Sequence, residues 1–390
     1  MSALAVDRDY LIRTLTDLVR INSINPTLAP GGAGEAEIAG HVAESLAHMG
    51  LEARKIEPEP GRPSVVGVLR GARPGRSLML NAHYDTVGIE GMPEPFSAAI
   101  RDGKLYGRGA YDMKGSLAAC MAAAKALAES RALAAGSLIV AAVADEEYGS
   151  LGTAAVIPAM KADAAIVTEP TALNVCLAHK GYLWIEVETE GRAAHGSRFQ
   201  QGIDANMRMG RFLAVLDGLE RDLRTRTPHA LVGPPSLHAA MIAGGTGLST
   251  YAASCKLQIE RRTVPGETEA QAIREIQEIV DQLAAADPTF HARVDCFFAR
   301  EPFEIAPDAR IVQVVDRAVE QVLGRMTAHV GDTPWMDAAL LAAAGTETVV
   351  IGPAGAGAHA AEEWVDIESV VQLAEILVRA AVEYCGSRGF

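Results

Sequence analysis

The chain has 390 residues, of which 49% are apolar and 22% are charged, and its formal net charge is −14. These fractions are typical of a globular protein, and the length favours two domains over one compact core. The acidic balance, with no basic stripe in the sequence, argues against a nucleic-acid partner and against a membrane-binding polybasic patch.

Targeting signals and cysteine usage predict a cytoplasmic protein. The N-terminal segment carries charges from Asp7 onward and has no apolar signal core, and no run approaches about 18 uninterrupted apolar residues. The cysteines are odd in number and lack paired spacing, at Cys120, Cys176, Cys255, Cys296 and Cys385. We therefore expect reduced, mostly buried thiols and no cysteine-based zinc finger.

The first part of the chain alternates helices with strands. Apolar residues at helical spacing and an alanine-rich run predict helices at 7–21, 32–50, 113–129 and 151–160. Apolar runs predict two neighbouring strands, 64–71 and 77–83, and further strands at 137–144 and 164–170. This alternation indicates a layered α/β domain with a mostly parallel or mixed sheet.

The pattern changes after about residue 177. GYLWIEVETEGR alternates apolar and polar positions, as a half-exposed antiparallel strand does. The predicted elements that follow are a helix near 203–222, strands near 236–243 and 253–262, a helix near 267–286 and a strand near 289–297. This β-α-β-β-α-β order predicts a ferredoxin-like domain at 178–298, inserted between the two parts of a larger domain, 1–177 and 299–390.

Five segments place acids or a histidine just after an apolar strand or in the loop that follows. They are NAHYDTV (81–87), GRGAYDMKG (107–115), ADEEYGS (144–150), IVTEPT (166–171) and GPAGAGAHAAEEW (352–364). Ligands bind at the carboxyl ends of the strands in open α/β sheets. Two histidines and several carboxylates converging there suit one or two zinc ions.

Each segment taken alone has an ordinary structural explanation. His83 could be a satisfied core histidine, and Asp112 could cap the alanine-rich helix that follows it. Glu146 and Glu147 could lie in a solvated turn, and Glu169 could be a plain loop acid before a proline. The functional reading therefore rests on all five segments occurring together, in order and after strands.

Those five segments, in this order, resemble the co-catalytic zinc aminoacylase and carboxypeptidase family, which includes acetylornithine deacetylase, succinyl-diaminopimelate desuccinylase and glutamate carboxypeptidase. The resemblance covers essentially the whole chain. It implies a zinc-aminopeptidase-like α/β/α catalytic domain with an inserted ferredoxin-like α+β domain that serves as lid and dimerisation domain. It also implies two zinc ions per subunit, with cobalt or manganese as substitutes, and a homodimer.

The resemblance implies a role for each matching residue. His83 and Glu169 would ligate one zinc ion, Glu147 and His359 the other, and Asp112 would bridge both. Glu146 would be the general base, and Asp85 would hydrogen-bond the far nitrogen of His83 and fix its tautomer. Asp145 has no family role, and we expect it to make a loop hydrogen bond.

Three residues of the inserted domain match the family less closely. His195 in GRAAHGS would stabilise the oxyanion across the dimer, and Arg262 in RRTVPGE would clamp a substrate carboxylate, or else pair with lid acids. Ser249 stands where relatives often have a substrate-binding asparagine, which bears on substrate preference. HVGDTPWMDAALL (329–341) replaces the serine-rich loop of the desuccinylases and argues against that activity.

The predicted function is hydrolysis of the amide bond of N-acyl amino acids, as in acetylornithine deacetylase. The alternative in the same class is a metallo-exopeptidase of the glutamate carboxypeptidase or dipeptidase type, and the desuccinylase is a weaker one. A non-catalytic binder of amino-acid derivatives would be expected to have lost the base or a ligand, and none is lost here. The expected substrate is a small N-acyl amino acid or a short peptide.

Overall fold

The computed structural model describes residues 5–326 and 328–386. The α-helices are α1 (Arg8–Arg20), α2 (Ala36–His48), α3 (Gly115–Ser130), α4 (Leu151–Ala159), α5 (Ala205–Thr225), α6 (Glu269–Ala286), α7 (Arg310–Leu323), α8 (Ala338–Ala343) and α9 (Ile367–Gly386). A π-helical turn, Ala110–Lys114, precedes α3. The predicted helices agree with these within a few residues, and α2 begins later than expected.

The strands group into three sheets. They are β1 (Glu52–Ile56), β2 (Ser64–Arg70), β3 (Ser77–His83), β4 (Ala99–Arg101), β5 (Lys104–Tyr106), β6 (Ser137–Val143), β7 (Ala164–Val167), β8 (Val175–His179), β9 (Gly181–Glu190), β10 (Ser236–Gly244), β11 (Ser254–Thr263), β12 (His291–Arg300), β13 (Phe303–Glu304), β14 (His329–Asp332), β15 (Glu347–Val350), β16 (Gly355–Ala356) and β17 (Trp364–Asp366).

The chain divides into two compact units. The larger comprises the chain up to Leu177, Ile305–Val330 and the chain from Met336 onward, and the smaller comprises Ala178–Glu304 and Gly331–Trp335. The predicted inserted domain, 178–298, stays a prediction, and the smaller unit of this division runs to Glu304 and takes in a short second segment.

The larger unit is built on a mixed sheet in the order β1-β2-β6-β3-β7-β15-β8. The four strands β6, β3, β7 and β15 are parallel to one another. β2 is antiparallel to both of its neighbours, β1 and β6. The prediction that 64–71 and 77–83 are neighbours was wrong, because β6 lies between them and pairs with both. Their apolar runs are alike, so only the long-range pairing with β6 decides the order.

The parallel strands are covered on both faces, and their carboxyl ends meet at one edge. β3, β6 and β7 are buried along nearly their whole length, as parallel strands between helices are. Alanines let α3 pack closely on its neighbours, so that most of its residues are buried. The edge where His83 ends β3 and Val143 ends β6 is therefore a rigid platform for the loops that follow.

The smaller unit has the β-α-β-β-α-β order that the sequence predicts. Its antiparallel sheet runs β10-β11-β9-β12, and α5 and α6 cover one face. Alternate residues of β9, such as Leu183, Ile185 and Val187, enter the core beneath these helices. The short strands β4, β5, β16 and β17 form a separate small sheet that the apolar patterns did not predict.

Candidate metal centre

His83 is the last residue of β3, and its ring is almost wholly buried. Its Nε2 atom lies 3.1 Å from Asp112 Oδ1 and 3.5 Å from Glu169 Oε1. Its Nδ1 atom lies 3.1 Å from the backbone carbonyl oxygen of Asp85. A carbonyl can only accept, so Nδ1 carries the proton and Nε2 is directed at the carboxylates.

Asp112 lies between the two histidines. Its Oδ1 atom faces His83, and its Oδ2 atom lies 3.4 Å from His359 Nε2. A carboxylate with one oxygen toward each histidine has the geometry of a bridging ligand. The residue lies within the π-helical turn, where its non-helical backbone directs the side chain inward, so it is not a simple helix cap.

Glu147 and His359 form the second half of the cluster. Glu147 Oε2 lies 2.9 Å from His359 Nε2. His359 has a φ of +60°, a conformation that non-glycine residues adopt rarely, and it lies in the glycine-rich loop between β16 and β17. The loop therefore directs the imidazole at Glu147 and Asp112 together.

Glu169 and Glu146 complete the first half. Glu169 follows β7, a parallel neighbour of β3, which brings its carboxylate beside His83. Glu146 Oε2 lies 3.8 Å from His83 Nε2, slightly farther than the other carboxylates. Among the described residues, two sets of three ligand atoms lie close enough to hold an ion, namely His83, Asp112 and Glu147, and His83, Glu146 and Glu169.

Asp85 lies beside the far nitrogen of His83 and makes further contacts with the loop of the two glutamates. The Asp85 carboxylate lies 3.6 Å from His83 Nδ1. The backbone oxygen of Asp85 is the closer acceptor, at 3.1 Å from the same nitrogen. The carboxylate accepts hydrogen bonds from the backbone N–H groups of Glu146 and Glu147, at 3.0 and 3.2 Å. Asp85 therefore fixes the loop that carries both glutamates, and it fixes His83 through its main chain.

A buried network that the sequence analysis missed lies behind this loop. The amide nitrogen of Asn25 donates to both Asp85 and Asp145, at 2.8 and 3.0 Å. Arg62 donates to Asp145 at 2.7 Å and holds Glu35 through two further hydrogen bonds. These residues come from sequence-distant segments without a recognisable motif, and only the acid run at Asp145 hinted at the network.

Asp145 itself shapes the turn. It has a φ of +66°, and its carboxylate also accepts the backbone N–H of Leu151 at 3.3 Å. Its carbonyl oxygen accepts from the N–H of Gly149 at 3.1 Å. Of the three consecutive acids, one therefore builds the turn and the other two enter the cluster.

The electrostatics of the cluster call for a cation. Burial, and then the negative charge of Asp112, raise the pKa of Glu147 to about 7. Burial raises the pKa values of Glu146 and Glu169 well above the usual range, although His83 opposes this. Without a cation, so many carboxylates can share this space only by retaining protons.

The histidines show the complementary effect. Hydrogen bonds to Asp112 and Glu147 raise the pKa of His359 to about 10. Burial opposes protonation of His83, but the carboxylates around it prevail and raise its pKa. Burial also raises the pKa of Asp112, yet its bonds to both histidines outweigh this and lower it. In the absence of metal, protons therefore occupy the positions that a cation would take.

The donor set fits divalent metal ions. Imidazole nitrogens and carboxylate oxygens on a rigid sheet edge are the ligands that zinc prefers among these residue types, and cobalt and manganese accept the same set. Asp337, which the sequence analysis did not single out, is a further buried acid. Burial raises its pKa to about 6, and one of its oxygens accepts from Thr153 at 2.5 Å.

The remaining predicted residues lie in the smaller unit. His195 is exposed, and its Nδ1 atom lies 2.8 Å from Ser197 Oγ. The exposed loop that contains Ser249 lies beside it, since Ser249 O accepts from Gly196 N at 2.7 Å. The structure thus brings His195 and Ser249 into one pair of adjoining loops.

Arg262 is half-buried on the sheet face opposite α5 and α6. Its Nε atom donates to Glu260 Oε1 at 2.7 Å, and its guanidinium lies over the ring of Tyr182, 5.1 Å from the centroid. It therefore pairs with an acid of its own unit, and its contact with a substrate carboxylate stays a prediction. Its neighbour Arg261 is fully buried and pairs with Glu267 and Glu275.

Comparison with known proteins places the chain among metallohydrolases. The sequence model described as peptidase family M20/M25/M40 matches residues 79–383. An acetylornithine deacetylase of Myxococcus xanthus is 29% identical over 96% of this chain and 97% of its own. An N-formyl-4-amino-5-aminomethyl-2-methylpyrimidine deformylase of Halalkalibacterium halodurans is 28% identical over 96% of this chain and 95% of its own.

A solved structure shows the same fold. The M20 family metallo-carboxypeptidase of Sulfolobus solfataricus superposes with a TM-score of 0.79 at 18% identity, over 96% of this chain and 99% of its own. The predicted α/β fold class is thereby confirmed. Over the part of the chain that the structure describes, every helix is too short or too polar to span a bilayer.

Proposed function

The chain belongs to peptidase family M20/M25/M40 and is a metallohydrolase that acts on amide bonds, and from this premise we propose that it removes the acyl group from N-acyl amino acids with two zinc ions. The observation that carries the proposal is Asp112, with one carboxylate oxygen toward His83 and the other toward His359. A bridging carboxylate is what a pair of ions roughly 3.5–4 Å apart requires.

We assign His83 and Glu169 to one zinc ion, Glu147 and His359 to the other, and Asp112 to both. When bound, the ions would lower the pKa of a water molecule and polarise the amide carbonyl. The residues would then divide the remaining work. Glu146, buried and close to the ligands, takes a proton from the water and delivers it to the leaving amine.

Burial suits Glu146 to this role. Its pKa lies well above the usual carboxylate range, so it binds a proton more readily than an exposed glutamate does. Asp85 holds the main chain of Glu146 and thereby fixes where the base lies. His195 is our candidate for the oxyanion donor, and Arg262 and Ser249 are our candidates for substrate contacts.

A homodimer is supported by the surface of β10. This strand forms one edge of the smaller unit's sheet, and all residues from 238 to 250 are exposed. Met241 and Ile242 of β10 have exposed fractions of 63% and 56%, and Leu248 in the loop after β10 has one of 108%. An open strand edge with apolar side chains invites pairing with another strand, and a second copy of the chain would supply one.

We also propose a cytoplasmic location. All five cysteines lie outside disulfide bonds, and four of them are buried. A reducing compartment maintains that state.

The experiment is a substrate panel with the zinc-loaded enzyme. N-acetyl, N-formyl and N-succinyl amino acids and several dipeptides are incubated with it, and the released amine is measured. Release from simple acyl amino acids supports the deacylase, whereas release from dipeptides alone indicates an exopeptidase. Absence of release from every compound, with two zinc ions bound per chain, contradicts the proposal.

The variant Glu146→Gln tests the base in the same assay. We expect kcat to fall about 100- to 10,000-fold while both zinc ions stay bound. Glu44→Gln, which changes an exposed glutamate of α2, is the matched control and should behave as the parent enzyme. Undiminished kcat in Glu146→Gln would refute the role of Glu146.

A further inference from the structure

Glu363 is a buried carboxylate that accepts four hydrogen bonds. Its Oε1 atom accepts from the backbone N–H groups of Tyr111 and Asp112, at 2.9 and 3.1 Å. Its Oε2 atom accepts from the N–H of Gly109 at 3.0 Å and from Arg108 Nη1 at 2.7 Å. Three of the four donors are therefore main-chain groups of the turn that presents Asp112.

Glu363 also belongs to the loop that presents His359. It lies four residues after His359 and immediately before β17, which pairs with β5. Arg108 strengthens this connection, because its Nη2 atom donates to the carbonyl oxygen of Ala360 at 2.9 Å. The Arg108–Glu363 ion pair thus connects two loops, and its two residues are 255 positions apart in sequence.

The backbone of the turn is adapted to this contact. Gly109 has a φ of +77°, and a Cβ atom there would lie 2.6 Å from the side chain of Thr86. Glycine therefore allows three N–H groups of this turn, those of Gly109, Tyr111 and Asp112, to converge on one carboxylate. Both side chains of the pair are almost fully buried, with exposed fractions of 3% for Arg108 and 1% for Glu363.

We propose that Glu363 is a positioning residue that sets the spacing between Asp112 and His359, and thereby the affinity of the metal position that these two residues share with Glu147. The inference rests on the two-metal centre proposed above. Glu363 does not point at the cluster. It acts through the main-chain N–H of Asp112 on one side and through the chain that leads back to His359 on the other.

The test is titration of the metal-free Glu363→Gln variant with Co²⁺. The glutamine keeps the size of the side chain but presents N–H groups where Gly109 and Arg108 already donate, so the turn must shift. We expect the Co²⁺ affinity of the position that Asp112 and His359 share with Glu147 to fall about 10- to 100-fold, as other changes behind metal ligands do. The visible absorption band of the second ion should change in shape, and the affinity of the His83 and Glu169 position should stay within about threefold.

Glu362→Gln is the matched control, since Glu362 is the adjacent glutamate and is exposed. It should titrate as the parent protein does. If Glu363→Gln does not fold, Glu363→Asp is tested in its stead. Aspartate retains the negative charge, but its side chain is shorter by one methylene, so the carboxylate lies farther from the N–H groups of the turn. We expect a smaller loss at the same metal position.

The outcomes separate two failures. Two parental affinities in a folded Glu363→Gln or Glu363→Asp protein overturn the role of Glu363. Equal weakening of both metal positions overturns it too, because the residue would then support the fold in general. A parent protein that binds fewer than two ions overturns the two-metal centre itself.

Discussion

The two units of the chain differ in where their ion pairs lie. The larger unit has surface pairs such as Arg70 and Glu52, but behind the sheet edge it also buries charges, as with Arg62 and Glu35, whose side chains are 8% and 0% exposed. In the smaller unit, most ion pairs lie on the open sheet face or the helix surfaces, as with Lys256 and Glu186, which are 50% and 23% exposed. Arg261 is an exception in the smaller unit, because it is buried among acids.

This difference indicates where function depends on charge. A buried charge costs free energy unless partners surround it, so a cluster of them persists only where each has a defined contact. The buried ion pairs of the larger unit, Arg62 with Asp145 and Arg108 with Glu363, lead to the loops of the metal centre. Pairs such as Lys256 and Glu186 are solvated and contribute little.

The largest effect should come from the residue shared by both halves of the centre. Asp112→Asn retains the shape of the side chain but leaves a neutral amide between His83 and His359. We expect one metal ion to be lost per chain and kcat/KM to fall roughly a thousandfold, which corresponds to about 4 kcal/mol of transition-state stabilisation. Metal analysis and amine release measure the two effects, and a variant with two tightly bound ions would contradict the bridging role.

A large effect on stability should follow from removal of Arg62. Arg62→Met leaves Glu35 and Asp145 buried without their cation, and breaking a buried pair in this way costs about 3–5 kcal/mol. Chemical denaturation of the metal-free protein should show the loss. The metal-loaded variant should also have reduced kcat, because Asp145 shapes the turn that holds Glu146.

Lys256→Met is the matched control from the smaller unit. Like Arg62→Met, it removes the cation of an ion pair, since Lys256 Nζ lies 2.6 Å from Glu186 Oε1. This ion pair, however, lies at the surface. We expect its denaturation midpoint and its activity to equal those of the parent protein. If Arg62→Met and Lys256→Met lowered the free energy of unfolding equally, the contrast between buried pairs in the larger unit and solvated pairs in the smaller unit would be wrong.

A smaller and graded effect should appear in the pH dependence of metal binding. His359, with a pKa of about 10, and Glu147, with a pKa of about 7, retain protons in the metal-free protein near neutrality. Metal must displace those protons, so affinity should fall about tenfold per unit of decreasing pH for each proton displaced. Calorimetry in two buffers of different ionisation enthalpy counts the protons, and identical heats in both would contradict the expectation.

The sequence predicted those features that arise from local pattern. Continuous apolar runs predicted β3, β6 and β7, and alternation predicted the strands of the smaller unit, because burial on one or both faces leaves a direct trace in the residues. The candidate ligands His83, Glu147 and Glu169 could be proposed because they end or follow strands whose carboxyl ends share an edge, and the role of each candidate came from the family resemblance. The family itself was recognised from five segments in order, and the match to M20/M25/M40 confirms it.

The rest depended on contacts between distant segments. The position of β6 between β2 and β3 is a property of the sheet, and no local pattern encodes it. Asn25 and Arg62 lie in irregular stretches where any polar residue would be unremarkable in sequence. Glu363 lies four residues after His359 in the same segment. Three of its four hydrogen-bond donors are main-chain N–H groups, which leave no trace in side-chain identity.

The long sequence separations within the metal centre affect how the protein folds while it is being synthesised. Asp112, Glu147 and Glu169 are synthesised before the whole of the smaller unit, and His359 and Glu363 only after it. Until β15 has been synthesised, Asp112, Glu147 and Glu169 therefore lie beside an incomplete sheet. Contacts between such distant residues form late and slowly, so the nascent chain gains hydrolytic activity only once its last strands and α9 have folded back onto the first.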